Sequence, residues 1–250
     1  MLNPRIIPCL LVHNKGLVKT VKFKDSKYIG DPINAVKIFN EKEVDELIVL
    51  DIDATVENRE PDYKMIENLA NECRMPLCYG GGIKTASQAQ KILSLGVEKI
   101  AISSVIFNNP NLVKEISTEV GSQSVVVVFD VKKKLLGDYD LYTHNAKNKT
   151  KQNLLDLVER VQNLGAGEVV INSIDNDGLM KGYDLDLIER VKNRLNIPMT
   201  ALGGAGKIED IVKVINKFGI IGCAAGSLFV FKGKYKAVLI NYPNQEKKNK

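Results

Sequence analysis

Met75-Pro76-Leu77-Cys78-Tyr79-Gly80-Gly81-Gly82 is echoed by Ile197-Pro198-Met199-Thr200-Ala201-Leu202-Gly203-Gly204, an offset of 122 residues. With the same offset Asp53 falls on Asp175, and Ser104 falls one residue short of Ser227. Each copy is a short apolar run ending in a glycine turn, which reads as a buried strand followed by a loop. Six further runs complete a series of eight: Arg5–Val12, Glu46–Asp51, Lys99–Ser103, Ser124–Asp130, Glu168–Asn172 and Gly222–Ala225 join Met75–Tyr79 and Ile197–Leu202. Helical stretches lie between them, with start signals at Asp31-Pro32, Asn109-Pro110, Thr150 and Asp184 before Leu185–Lys192. Capping side chains and a proline in the first turn supply what a helix N-terminus needs. Eight alternating βα units fit either a doubly wound sheet or a closed barrel. The repeat decides for closure: two half-barrels of four units, about 1–120 and 121–250, make one α/β domain over residues 1–250, a (β/α)8 TIM barrel without exposed sheet edges.

Composition excludes several classes. The chain has 250 residues, 44% hydrophobic and 26% charged, so neither disorder nor a disulfide scaffold is in question. No apolar run approaches the ~18 residues that cross a bilayer. The opening Met1-Leu2-Asn3-Pro4-Arg5 leads into an apolar stretch broken by Pro8, without a small-residue cleavage site. That predicts a cytoplasmic protein with no membrane partner. Net charge is +5, but the lysines are scattered and the one dense run is the tail Glu246-Lys247-Lys248-Asn249-Lys250. A nucleic-acid binder would show a basic stripe with stacking aromatics, and none is present. Cys9, Cys73, Cys78 and Cys223 form no CxxC and have no histidine at metal-ligand spacing, so they read as reduced structural thiols, with no metal and no cofactor.

In such a barrel chemistry gathers where strands end and βα loops begin. Gly80-Gly81-Gly82 and Ser103-Ser104 close the third and fourth strands; Gly203-Gly204-Ala205-Gly206 and Gly226-Ser227 close the seventh and eighth. Glycines admit a ligand close to backbone N–H groups, and a hydroxyl adds a donor, a combination that binds phosphate. One cradle in each half predicts a long ligand phosphorylated at both ends. Of the strand-end acids Asp51, Asp53, Asp130, Asp175 and Asp177, a lone loop Asp is ordinarily a cap or a backbone acceptor. Asp130 differs because it directly ends Val125–Phe129, where a carboxyl faces the pocket and can move a proton. Aligning Ile6–Val12 with Val125–Val131 puts Leu11 opposite Asp130.

These residues, with Arg5-Ile6-Ile7-Pro8-Cys9-Leu10, Gly30-Asp31-Pro32, Leu50-Asp51-Ile52, Leu164-Gly165-Ala166-Gly167-Glu168, Asp175-Asn176-Asp177-Gly178 and Gly182-Tyr183-Asp184, resemble the HisF family over essentially the whole chain. HisF is the cyclase subunit of imidazole glycerol phosphate synthase. The resemblance implies a glutaminase partner (HisH-like) on the N-terminal barrel face, with ammonia crossing the barrel to a bisphosphorylated substrate. It implies an ammonia gate of Arg5, Glu46, Lys99 and Glu168, and phosphate contacts at Gly82, Ser103, Ser104, Ser173, Asp177, Gly178, Gly203, Gly204, Gly226 and Ser227. Lys19 and Asp51 belong to the substrate mouth in this comparison. The family's acid–base pair ends strands 1 and 5; here the second is Asp130, and Leu11 stands in place of the first. Other departures are Thr20, Asn145-Ala146 and Leu179 where the family has Gly, Gly-Gly and Thr. A complete gate with one acid missing resembles HisF-like paralogues tied to acetamidino modification of surface-polysaccharide sugars, where a separate sugar amidotransferase receives the ammonia. A histidine-pathway cyclase and a non-catalytic scaffold for the glutaminase are the alternatives.

Overall fold

The computed structural model describes residues 3–135 and 137–243; the lysine-rich tail and the first two residues lie outside the described residues. Eight parallel strands close on themselves: β1 (Arg5–His13), β2 (Leu47–Asp51), β3 (Leu77–Gly80), β4 (Lys99–Ile102), β5 (Val125–Lys133), β6 (Glu168–Ser173), β7 (Met199–Leu202) and β8 (Gly222–Ala225). Each pairs with the next, β8 pairs with β1 (Arg5↔Gly222), and β5 pairs with β6 (Glu168↔Val126), so no barrel edge is left open.

Alternation along the strands builds two cores, because successive side chains point to opposite faces. One set fills the barrel: Ile7, Cys9, Ile48, Cys78, Ala101, Val126, Val128, Val170, Leu202 and Ala224. The other set, including Leu10, Val49, Tyr79, Phe129 and Ile171, packs outward against the helices. Since both faces are covered, the strands read as continuous apolar runs rather than alternating ones. All four cysteines are free thiols, and burial pushes the pKa of Cys9 up to about 11.

The helices are α1 (Pro32–Glu41), α2 (Tyr63–Glu72), α3 (Ala86–Ser94), α4 (Leu112–Val120), α5 (Leu154–Asn163), α6 (Leu185–Lys192), α7 (Ile208–Phe218) and the short α8 (Ser227–Val230). Asp31 and Asp184 cap α1 and α6 as expected, accepting from the N–H groups of Asn34 and Leu187. Two starts move. Helix α4 begins after Pro110, with Asn111 at its cap. The expected start at Thr150 is corrected to Leu154, capped by Asn153. Thr150 is still held by the preceding hairpin, its N–H donating to the Leu141 carbonyl at 2.9 Å.

The half-barrel repeat is visible in the hydrogen bonds. Leu47 N–H donates to the Pro76 carbonyl at 2.9 Å, and Val169 N–H to the Pro198 carbonyl at 3.0 Å, both pairs offset by 122 residues. Strands β1 and β5 each run on into a hairpin over the mouth, built from Gly16–Val21 with Lys24–Gly30 and from Tyr139–Thr143 with Asn148–Lys149. Asp53 accepts from Asn14 N–H beside the first hairpin and Asp175 from Lys133 N–H beside the second, both at 2.8 Å. These two repeat-related acids are therefore loop braces.

Candidate active site

A cavity of about 360 Å3 opens at the C-terminal ends of the strands, within the range of small-molecule sites. It brings together Leu11, Lys19, Asp51, Gly82, Ser103, Ser104, Asp130, Asp177, Gly178, Gly203, Gly204, Gly226 and Ser227. Ser173 does not line it. Its carbonyl instead lies against Gly203, 2.7 Å from where a Cβ would stand, as the Asp51 carbonyl lies 2.5 Å from that of Gly81. Both glycines have left-handed φ (+95° and +128°), so each turn needs a residue without a Cβ.

Asp130 sits at the floor. Burial pushes its pKa up to about 7, with a hydrogen bond from Asn172 Nδ2 (3.0 Å) holding it back and the charge of Asp177 adding to the rise. A carboxyl titrating near neutrality can both give and take a proton. Leu11, facing the same cavity, can do neither.

The other two acids are already engaged. Asp51 Oδ1 accepts from the N–H groups of Asp53 (2.9 Å) and Ala54 (3.1 Å). Burial raises its pKa, and those two bonds and Arg59 work against the rise. Asp177 accepts from Thr20 Oγ1 at 2.8 Å and from Phe23 N–H at 3.1 Å, while its carbonyl receives Lys22 N–H at 3.0 Å. The Asp177 carboxylate thus holds the β1 hairpin over the mouth. Across the cavity Asn145 Nδ2 donates to the Ile52 carbonyl at 2.8 Å, anchoring the β5 hairpin. Thr20 and Asn145 therefore act as latches of the two hairpins. Lys19 is buried, its Nζ donating to the Cys9 carbonyl at 2.5 Å; burial lowers its pKa, and Cys9 and Asp177 oppose that.

Sequence reasoning missed Asn172. In the sequence it is a carboxamide following Val169-Val170-Ile171, and strand register is what sets it beside Asp130.

At the opposite, N-terminal end, four charges close a ring. Arg5 Nη2 lies 2.7 Å from Glu168 Oε1, and Arg5 Nη1 also donates to Glu46. Lys99 Nζ reaches Glu46 at 2.9 Å and Glu168 at 3.0 Å, and Thr200 Oγ1 donates to Glu168 at 2.5 Å. Glu46 and Glu168 are themselves repeat-related, while both cations come from the first half. Burial would raise the Glu168 pKa, but the Arg5 bonds and charge, Lys99 and Thr200 hold it down at about 2.

The fold and mouth define a class: a closed βα barrel with a glycine-cradled pocket, one acid near neutrality and an ion-paired ring at its far end. The histidine biosynthesis protein family matches residues 5–236. A Vibrio vulnificus protein named "Putative imidazole glycerol phosphate synthase subunit hisF3" is 57% identical over 100% of this chain and 96% of its own length. A Leptospira borgpetersenii protein named "Putative imidazole glycerol phosphate synthase subunit HisF" is 58% identical over 98% of this chain and 96% of its own. The "Imidazole glycerol phosphate synthase subunit HisF" of Pseudoalteromonas translucida is 39% identical over 92% of this chain and 91% of its own. The chain belongs to the HisF family. Among the described residues no helix is long and apolar enough to cross a membrane.

Proposed function

We propose that this chain, as one barrel domain, is the ammonia-receiving subunit of a glutamine amidotransferase system. A HisH-like glutaminase docks on the N-terminal face, and ammonia passes the ring of Arg5, Glu46, Lys99 and Glu168. It then crosses the apolar interior of Ile7, Cys78, Val126 and Ala224 to the C-terminal mouth. A salt-bridged ring at the N-terminal end of an apolar interior supports a gate, since passage there would call for ion pairs to be exchanged. The glycine cradles of the two halves, at Gly82 with Ser104 and at Gly204 with Ser227, support a ligand phosphorylated at both ends.

The observation that carries the reading is the pairing of that complete ring with Leu11 opposite Asp130. Cyclisation to imidazole glycerol phosphate calls, by the resemblance, on a pair of carboxyls at the ends of strands 1 and 5, and of that pair this mouth holds Asp130 with Leu11 opposite. The subunit's own cyclase turnover is therefore weak, and its retained task is delivery of ammonia in the cytoplasm. A separate sugar amidotransferase is the acceptor enzyme, for acetamidino modification of a surface-polysaccharide sugar. The second reading, supported by the names of the HisF relatives, is the histidine-pathway cyclase itself. In it a bisphosphorylated ribulosyl aminoimidazole substrate and ammonia give imidazole glycerol phosphate and release an aminoimidazole carboxamide ribotide. The intact ring argues against a non-catalytic scaffold, which needs no gate.

The deciding experiment measures turnover of the histidine-pathway substrate with ammonium, and with glutamine plus the glutaminase, for this chain and its Leu11→Asp variant. Weak turnover rising in the variant supports the delivery reading; turnover by the unmodified chain at an ordinary cyclase rate establishes the second.

A further inference from the structure

The mouth breaks the repeat at two positions, not one. Across β1 and β2, Leu11 pairs with Leu50; across β5 and β6, Asp130 pairs with Asn172. Leu50 and Asn172 are themselves offset by 122 residues. An apolar pair in one half is thus matched by a hydrogen-bonded polar pair in the other.

Asn172 is 7% exposed, and its Nδ2 donates to Asp130. Its carbonyl oxygen Oδ1 is buried and receives no hydrogen bond. Buried side-chain acceptors are normally satisfied, so this one calls for a donor. Space for one is kept by Gly203: a Cβ there would stand 3.1 Å from Oδ1. On the other side of Asp130, at the end of β4, Ser103 Oγ is also buried without a partner. The carboxyl on β5 thus has an unfilled polar atom on each neighbouring strand end, Asn172 Oδ1 in register with it and Ser103 Oγ two residues lower. Below them the interior offers Ala101, Val128 and Leu202, which cannot compete for a donor.

We propose that Asp130 and Asn172 form a docking site for ammonium, with Asn172 positioning the Asp130 carboxylate and accepting an N–H of the ligand at Oδ1. The donor the pair requires is small, carries several N–H groups and gains from a neighbouring carboxylate. Ammonium meets all three requirements, and the apolar interior opens directly beneath the pair. The source of that ligand rests on the ammonia-delivery reading above; the docking geometry does not.

The test is a carbon NMR titration of the full chain labelled in aspartate, with Asp130→Asn assigning the Asp130 signal. Titrations run in sodium, tetramethylammonium and ammonium chloride at equal ionic strength. A cation that binds the ionised carboxylate lowers its midpoint, so the midpoint is expected to fall in ammonium alone, tetramethylammonium having charge but no N–H. Asn172→Ala is expected to raise the midpoint in sodium, because a donor to the carboxylate is lost. It should also weaken ammonium binding about tenfold or more, the cost of a hydrogen bond between a neutral amide oxygen and a charged donor.

Equal wild-type midpoints in sodium and ammonium overturn the proposal without any variant having to fold. An ammonium effect untouched by Asn172→Ala does so too. Glycerol 3-phosphate moving the signal through Asn172 while ammonium does not would reassign Oδ1 to a substrate hydroxyl. If ammonium docks as expected but the glutaminase complex fed labelled glutamine delivers none to the mouth, the delivery reading falls and the site stands. Delivery without docking removes the site alone.

Discussion

Replacing Glu168 with Gln tests whether ionisation holds the ring together. The Glu168 carboxylate accepts from Arg5 at 2.7 Å, Lys99 at 3.0 Å and Thr200 at 2.5 Å. Its pKa is held at about 2 against an ordinary 4.5. At ~1.4 kcal/mol per pH unit, that gap is worth about 3 kcal/mol of native-state stability at neutral pH. Glu168→Gln keeps the shape, removes the charge, and leaves Arg5 and Lys99 sharing Glu46. Those cations are 26% and 20% exposed, so water compensates part of the loss. Urea unfolding at about pH 7 should show a deficit of about 2–3 kcal/mol. The sign of the pH dependence follows from the depressed pKa. The stabilisation is fully present above about 4.5 and is lost as pH falls through about 2, where the wild-type carboxylate takes up a proton. Glutamine does not titrate, so the gap between the two proteins should close between about pH 4.5 and pH 2. A gap of constant size from pH 7 to pH 2 would refute the reasoning, because the loss would then come from packing alone.

Three further outcomes are expected. Leu11→Asp should raise turnover of the histidine-pathway substrate by about 10²-fold where the latches leave room for it, since one general acid–base group is worth ~10²–10⁴; unchanged kcat with ammonium would count against a missing proton-transfer group. Gly204→Ala forces a Cβ to within 2.1 Å of the Gly182 carbonyl at a φ of +112°. It should cost more than ~1 kcal/mol in thermal unfolding and weaken phosphate binding measured by calorimetry, and unaltered affinity would remove that turn from the cradle. Thr20→Val deletes the hydroxyl that bonds Asp177. Trypsin should then cut after Lys22 or Lys24 about fivefold faster, the worth of ~1 kcal/mol, and equal rates would show that Thr20 is no latch.

The barrel was legible because its strands end where the sequence changes character. Apolar runs stop at Gly80, Asp130 and Gly203, and the 122-residue echo survives as matched Pro76 and Pro198 carbonyl contacts. The two mouth hairpins were not legible in the residues themselves, and the resemblance alone pointed to the one on strand 5. Their turns place Lys22, Phe23, His144, Asn145 and Ala146 at positive φ, so no glycine announces them. Lys24–Gly30 is mostly exposed and charged, and it shows no period-two pattern. Thr150 looked like a helix cap because Ser and Thr caps are common, but the hairpin captured its N–H first. Asn172 escaped for a different reason. A polar residue closing an apolar run reads as a loop beginning, and only strand register shows that it stands beside Asp130.

That register also explains why the mouth can change without loss of the barrel. The residues that hold strands to helices, such as Phe129 and Ile171, point outward into a core shared by every βα unit. Asp130 and Asn172 are the inward neighbours of those same residues, so they alternate with the packing positions rather than occupy them. A Leu11–Leu50 pair packs against the interior set, whereas an Asp130–Asn172 pair leaves a carboxyl displaced toward neutrality and an oxygen unfilled. The polar half is the costly one to keep, because an unsatisfied buried acceptor costs ~1–3 kcal/mol. That cost is carried on one side only, so the two halves of the mouth differ in polarity while both share the outward core that holds the barrel together.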